Sequence, residues 1–307
     1  MNEGGLRYTA RVNTAVLLSC HGTVEKVADL PAFLANIRRG RPTPPHVLEE
    51  VTRRFEAIGG SPLMRITAEQ ARALEARLGV PVRVAGRLFH PYPSEVVGAL
   101  AREGVTRIVS LPLAPQSVDV YHASVREALL PHPEIELLPA PAWGREPALI
   151  DAFVEVIDEA LARFPEAERA RVPVLLTAHS LPQRVIDAGD RYEVQFREMA
   201  SDVSARVAAR GNPVRVAFQS QGMDGGAWLG PDLPTTFRAL ASEGFSAALI
   251  APIGFVAEHV ETLYDLDIEA PKIAAEAGIA RLERAAAPNA RPRFIDALEA
   301  VSRSLLG

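Results

Sequence analysis

Val16-Leu17-Leu18-Ser19-Cys20-His21-Gly22 and Val174-Leu175-Leu176-Thr177-Ala178-His179-Ser180 are two versions of one pattern. Each is a short apolar run ending in a small polar turn that carries a histidine. An unbroken apolar run of this length is what a parallel strand buried on both faces requires. A second pair follows in the same relative order: Gly104-Val105-Thr106-Arg107-Ile108-Val109-Ser110-Leu111-Pro112-Leu113 resembles Gly244-Phe245-Ser246-Ala247-Ala248-Leu249-Ile250-Ala251-Pro252-Ile253. Two matched pairs point to an internal duplication, although matches this short also arise by chance.

Between the strands, residues 45–58, 67–78, 147–164 and 191–209 carry apolar side chains at three- and four-residue spacing, the mark of amphipathic helices. Strands that alternate with helices build parallel sheets covered on both faces. The predicted fold is therefore α/β, with two doubly wound, Rossmann-like lobes at residues 1–143 and 144–307 and a ligand cleft between them. An amphipathic helix over residues 293–306 closes the chain and is expected to pack back across the lobes. Ligands of such sheets sit beyond the carboxyl ends of the strands. His21, His179 and the segments after Pro112 and Pro252 should then face one cleft. No GxGxxG or P-loop pattern accompanies them, which argues against a dinucleotide or nucleoside-triphosphate enzyme.

Composition narrows the classes further. The 307 residues are 48% hydrophobic and 23% charged, as in a globular protein with a substantial core. The net charge of −5 gives no general reason to expect nucleic acid. Lys26 and Lys272 are the only lysines among 33 basic residues, so 31 are arginine, the side chain that grips carboxylates with a two-pronged fork. A GC-rich genome produces the same bias. The single cysteine, Cys20, excludes an intramolecular disulfide and a cysteine-ligated zinc or iron–sulfur site. The first residues lack the apolar core of a signal peptide, and the uncharged stretch at residues 245–257 is shorter than the roughly 20 residues of a membrane span. A soluble, cytoplasmic protein is expected.

The densest polar group is Glu258-His259-Val260-Glu261-Thr262-Leu263-Tyr264-Asp265-Leu266-Asp267-Ile268-Glu269. It should open a helix directly after an apolar strand, with Glu261, Asp265 and Glu269 on one face. Like charges four residues apart repel. The stripe is either a solvated helix face or one neutralised by a cation or an arginine. His179, at its strand end, is either structural or the partner of Glu261 across the cleft, a combination suited to proton abstraction near neutral pH. Spacing alone matches no zinc signature. Arg38-Arg39-Gly40-Arg41 is either a solvated turn or a bidentate grip on substrate carboxylates.

Taken together these segments resemble the ferrochelatase family over nearly the whole chain. The resemblance rests on Arg38-Arg39-Gly40-Arg41, Ala57-Ile58-Gly59-Gly60-Ser61-Pro62-Leu63, Leu113-Ala114-Pro115, Ala178-His179-Ser180-Leu181-Pro182, Gly189-Asp190-Arg191-Tyr192, Gln219-Ser220, Trp228-Leu229-Gly230-Pro231 and residues 252–265, all in family order. It implies a lyase that inserts Fe²⁺ into a porphyrin held between two lobes. His179 and Glu261 would be the catalytic pair and, with Asp265 and Glu269, the metal ligands or route. His21, Arg38, Arg39, Arg41, Ser61, Arg87 and Gln116 would contact the porphyrin. Iron enters as substrate, with no tightly bound cofactor, no nucleic acid partner and no membrane span. A monomer making transient contacts with neighbouring haem-pathway enzymes is expected.

Within the family the chain looks most like the coproporphyrin III enzymes, through Asn36-Ile37-Arg38-Arg39-Gly40-Arg41 and through Ala114, where protoporphyrin enzymes usually carry tyrosine. Four propionates would benefit most from the arginine turn and Arg87. Two departures stand out: His21 replaces the tyrosine these enzymes often place on the opposite porphyrin face, and the neighbours of Arg87 match only loosely. Alternatives are a protoporphyrin IX ferrochelatase, a chelatase for sirohydrochlorin, and a haem or coprohaem carrier that uses His21 as ligand. Retention of both His179 and Glu261 favours turnover, since a carrier needs no proton acceptor.

Overall fold

The structure, a computed structural model, describes residues 13–222 and 226–307; the N-terminal residues 1–12, read above for a leader, lie outside them. Strands β1 (Thr14–Cys20), β2 (Val82–Gly86), β3 (Arg107–Pro112) and β4 (Glu136–Pro139) form a parallel sheet in the order β2-β1-β3-β4. Strands β5 (Val174–His179), β6 (Val214–Gln219), β7 (Ala247–Ala251) and β8 (Arg281–Arg284) form a second, in the order β6-β5-β7-β8. The two halves thus repeat one topology, and the two histidine-bearing runs are the corresponding central strands β1 and β5.

Both are buried almost throughout, whereas the edge strands β4 and β8 are only partly covered. The reason is that a central strand meets helices on both faces. In β1, Val16 and Leu18 join the interior shared with β5, while Ala15 and Leu17 face α4 (Pro93–Arg102) and α5 (Val118–Ala128). In β5, Val174 and Leu176 enter the same shared interior, and Leu175 faces α9 (Leu233–Ser242) and α10 (Ala270–Glu276). This period-two division is the strand geometry acting on a fully apolar run. Truncating one such leucine to alanine costs about 2–5 kcal/mol.

The shared interior is completed by α6 (Pro147–Leu161), α8 (Tyr192–Ala208) and the last helix, α11 (Pro292–Leu306). α11 packs on α6 and on α3 (Leu63–Leu78) of the first half. Arg77 of α3 reaches Asp296 at 2.5 Å, and Arg291 reaches Glu159 of α6 at 2.5 Å. These ion pairs are partly exposed and contribute about 0–1 kcal/mol each, so apolar burial dominates the seam. No helix among the described residues is long and apolar enough to cross a membrane.

Two expectations need correction. Helix α3 begins at Leu63, four residues before the periodic stretch, because the Gly59-Gly60 turn ends α2 (Pro45–Ala57) and Pro62 starts the next helix at once. The acidic run does not open directly after β7, and it is not an α-helix. Eight residues, 252–259, intervene before Val260 opens the helix, and Glu261–Glu269 then winds as a π-helix. Periodicity cannot separate the two windings over so short a run. Backbone bonds five residues apart widen the turn to about 4.4 residues, so side chains four apart stay on one face.

Candidate active site

The carboxyl ends of the central strands converge as expected. Two adjoining cavities of about 250 and 340 Å³ lie there, and both are lined by His21, Leu63, His179, His259 and Glu261. The first continues toward Arg54, Ser220 and Asp265; the second toward Arg87, Gln116, Tyr121 and Tyr192. Together they fall within the roughly 300–1,000 Å³ of small-molecule sites.

Close backbone approaches seat the histidines. Gly22, at φ +78°, follows His21, and a Cβ there would come within 2.9 Å of Gly86 Cα and Phe89 N. The chain can therefore turn sharply off β1 against the end of β2 only as glycine. Gly254 packs its backbone on β5: a Cβ would stand 2.5 Å from Ala178 Cβ, next to His179. Tyr192 donates its hydroxyl to the His179 carbonyl at 2.9 Å, which fixes the strand end from α8.

His179 Nδ1 is hydrogen-bonded to the Ser180 carbonyl. A carbonyl only accepts, so Nδ1 carries a proton and Nε2 is the nitrogen that faces the cleft. That Nε2 lies 3.8 Å from Glu261 Oε1, and His259 Nε2 lies 3.5 Å from Glu261 Oε2. One carboxylate is thus flanked by an imidazole on each oxygen. Burial raises the Glu261 pKa, but His179, His259 and His21 outweigh it and hold the carboxyl at about 2. His21 is pushed down to about 4 by the protein around it, with Arg87, His259 and His179 adding to the effect against Glu261. At neutral pH the floor of the cleft therefore pairs a carboxylate with the neutral imidazole of His21.

The acidic stripe is neutralised by an arginine of the other half. Arg54 Nη1 binds Asp265 Oδ1 at 2.9 Å, its Nη2 lies 3.7 Å from Glu269, and its Nε holds Glu50 at 2.7 Å. Its guanidinium also lies 4.9 Å from the centre of the buried Tyr264 ring. Ser220, in the left-handed region at φ 58°, donates its hydroxyl to Asp265 Oδ2. Burial, with Glu261 and Glu269 nearby, still raises the Asp265 pKa to about 6 against the pull of Ser220 and Arg54. Among the described residues, no three His, Cys, Asp or Glu side chains stand together as a ready-made metal site.

Of the residues singled out in the sequence, His21, His179, Glu261, Asp265, Arg87 and Gln116 line the cavities. The Nε of Arg87 is buried and has no hydrogen-bond partner, and no carboxylate pairs with its guanidinium within 4 Å among the described residues. Glu269 stands one step outside, joined through Arg54. Arg38, Arg39 and Arg41 line neither cavity; they follow Ile37, a residue of the rim, and none pairs with an acid among the described residues. Ser61 is buried against a separate groove beside Gly59, Gly60 and Arg65, and its hydroxyl has no partner. Sequence reasoning missed His259, Tyr192 and Arg54. His259 had a signal, two residues before Glu261, whereas Arg54 lies in an ordinary amphipathic helix and had none.

The two-lobed parallel fold is that of chelatases. SirB from Bacillus subtilis, solved with Fe³⁺, superposes with a TM-score of 0.62 over 95% of both chains at 14% identity. The sequence carries the assignment further, because a model of the ferrochelatase family matches residues 13–305. A protein of Acidobacterium capsulatum named ferrochelatase is 37% identical, over 94% of this chain and 94% of its own. One of Geobacillus sp. strain WCH70, named coproporphyrin III ferrochelatase, is 36% identical over 95% of this chain and 97% of its own. The chain belongs to the ferrochelatase family, whose members act on a porphyrin and iron, and is a metal-ion chelatase of the lyase class.

Proposed function

We propose that this chain inserts Fe²⁺ into coproporphyrin III to give coprohaem III in haem biosynthesis, with His179 and Glu261 as the proton-accepting pair. The observation that carries this reading is His179 Nε2 beside the Glu261 carboxylate, in a cleft also lined by Arg87, whose guanidinium pairs with no acid among the described residues.

A free porphyrin holds two pyrrole N–H protons where the metal must go. Insertion forms four Fe–N bonds and releases two protons, so a base at the ring's face lowers the barrier. His179 Nε2 accepts the two protons one after the other and hands each to water, while the Glu261 carboxylate stabilises the imidazolium formed in between. Asp265 and Glu269 extend the acidic line as a path for Fe²⁺ or for protons. Oxygen and imidazole donors bind ferrous ion without trapping it as thiolates would, and a loose ligand set suits passage better than storage. His21, with its nitrogens neutral, is the residue that would ligate iron in the product.

Coproporphyrin is preferred for two reasons. Its four propionates suit Arg87 and, beyond the rim, Arg38, Arg39 and Arg41, none of which pairs with an acid among the described residues, and the Geobacillus relative bears that enzyme's name. Anaerobic Fe²⁺ insertion followed by absorbance tests the choice. Fast conversion of coproporphyrin III with slow conversion of protoporphyrin IX is expected. The reverse ranking would make protoporphyrin the substrate, and no conversion of either would overturn the proposal.

A further inference from the structure

One side chain ties the helix that leads into the turn bearing Arg38, Arg39 and Arg41 to the opposite wall of the cleft by two hydrogen bonds. Asn36, on the last turn of α1 (Leu30–Ile37), donates one amide hydrogen to the Leu88 carbonyl at 3.0 Å and the other to the Tyr92 hydroxyl at 2.7 Å. Both acceptors belong to the segment between β2 and α4, the segment that carries Arg87. That segment is itself anchored to the His21 strand end: Arg87 N donates to the Cys20 carbonyl at 3.0 Å and Leu88 N to the His21 carbonyl at 2.9 Å.

The far side of the same segment is equally constrained. Tyr92 N donates to Glu95 at 2.6 Å, Glu95 holds His90 Nδ1 at 2.9 Å, and the His90 and Tyr92 rings lie 4.2 Å apart. On the apolar side Phe33 of α1 meets Phe89 edge-on at 6.2 Å and His21 at 6.4 Å. α1 is therefore clamped by an aromatic contact underneath and by the Asn36 amide at its exposed end. The metal-side chemistry uses none of Asn36, Leu88, His90, Tyr92 and Glu95.

We infer that Asn36 is a positioning residue for substrate carboxylates, fixing the arginine turn relative to Arg87 by joining α1 to the β2–α4 segment. This deepens the substrate reading and rests on it in one respect, that the arginine turn grips propionates. The amide works at distance: Leu30 and Phe33 keep α1 seated in its apolar cluster with Phe55, but losing the amide frees the exposed end of the helix and spreads the guanidinium groups over more arrangements, so each carboxylate contact costs more ordering.

The test is a double-mutant cycle on the full chain. Asn36→Ala is expected to raise KM and the porphyrin dissociation constant about two- to tenfold, the worth of one to two exposed hydrogen bonds, with kcat within about twofold. Tyr92→Phe, which deletes only one acceptor, should give a smaller rise, and it keeps the test open should Asn36→Ala fold poorly. In a background with Arg38, Arg39 and Arg41 all changed to alanine, Asn36→Ala should have no further effect. Additive effects, or unchanged binding in both single variants, would overturn the inference. Affinity is read by fluorescence quenching with whichever porphyrin the unmodified protein converts. Failure of the coproporphyrin assignment then shows in the unmodified protein, and failure of the latch only in the cycle.

Discussion

Glu261→Gln tests the core of the mechanism with little steric change. The glutamine keeps the size and shape of the side chain but carries no charge and accepts no proton. Glu261 stands 3.8 Å from His179 Nε2 and 3.5 Å from His259 Nε2. When His179 takes a pyrrole proton, the carboxylate stabilises the new charge by about 4 kcal/mol at an effective dielectric of about 20, and by half that where cleft water screens it. The expected loss in kcat is therefore roughly 30- to 1,000-fold. Stopped-flow insertion of Fe²⁺ under anaerobic conditions reads kcat, fluorescence quenching reads porphyrin affinity, and thermal melting reports the fold. Affinity and melting should stay close to those of the unmodified protein. A kcat within about threefold of normal, with porphyrin binding intact, would remove Glu261 from proton transfer and with it the reading of the flanked carboxylate.

His179→Ala should abolish insertion, by about 10²–10⁴-fold as for a general base, while porphyrin still binds; retained turnover would sink the base assignment. Gly254→Ala forces a methyl to within 2.5 Å of Ala178 Cβ, so a loss of about 1–3 kcal/mol in chemical denaturation is expected, with slower insertion because His179 is the next residue; normal stability would contradict the packing described. His122 is buried, with Nε2–H donating to the Ala140 carbonyl and Nδ1 accepting from Ser110, each at 2.9 Å, and burial lowers its pKa. The unfolded chain then binds a proton more readily than the folded one, so stability is full above pH ~6.5 and falls as the solution is acidified below it. In urea titrations from pH 8 to 5, His122→Gln should start lower by about 1–3 kcal/mol and lose less on acidification; parallel pH profiles would refute the assignment.

How much of this was legible in the chain depends on what each feature answers to. The strands β1, β3, β5 and β7 could be read because a strand covered on both faces must be largely apolar, and four such runs in two matched pairs leave few arrangements. The cleft followed, since parallel strands with helical crossovers place all their carboxyl ends on one side. His21 and His179 were legible as the polar residues at those ends. The order of motifs identified the family. The partner of the acidic stripe was not legible: Arg54 looks like any other arginine of an amphipathic helix until α2 is laid against the π-helix 211 residues later in the chain.

The sequence by itself determined the doubly wound lobes, the strand-end location of the site and the chemical types gathered there, because those follow from periodicity and from residues local to each strand. Tertiary structure alone decided which nitrogen of His179 faces the cleft, that His259 takes the second oxygen of Glu261, that Arg54 offsets Asp265, and that Asn36 joins the two arginine-bearing segments. The physical reason is common to all four. Hydrogen bonds and charge pairs act over 3 to 4 Å between groups brought together by packing of apolar surfaces, and that packing is set by the whole core rather than by neighbours along the chain.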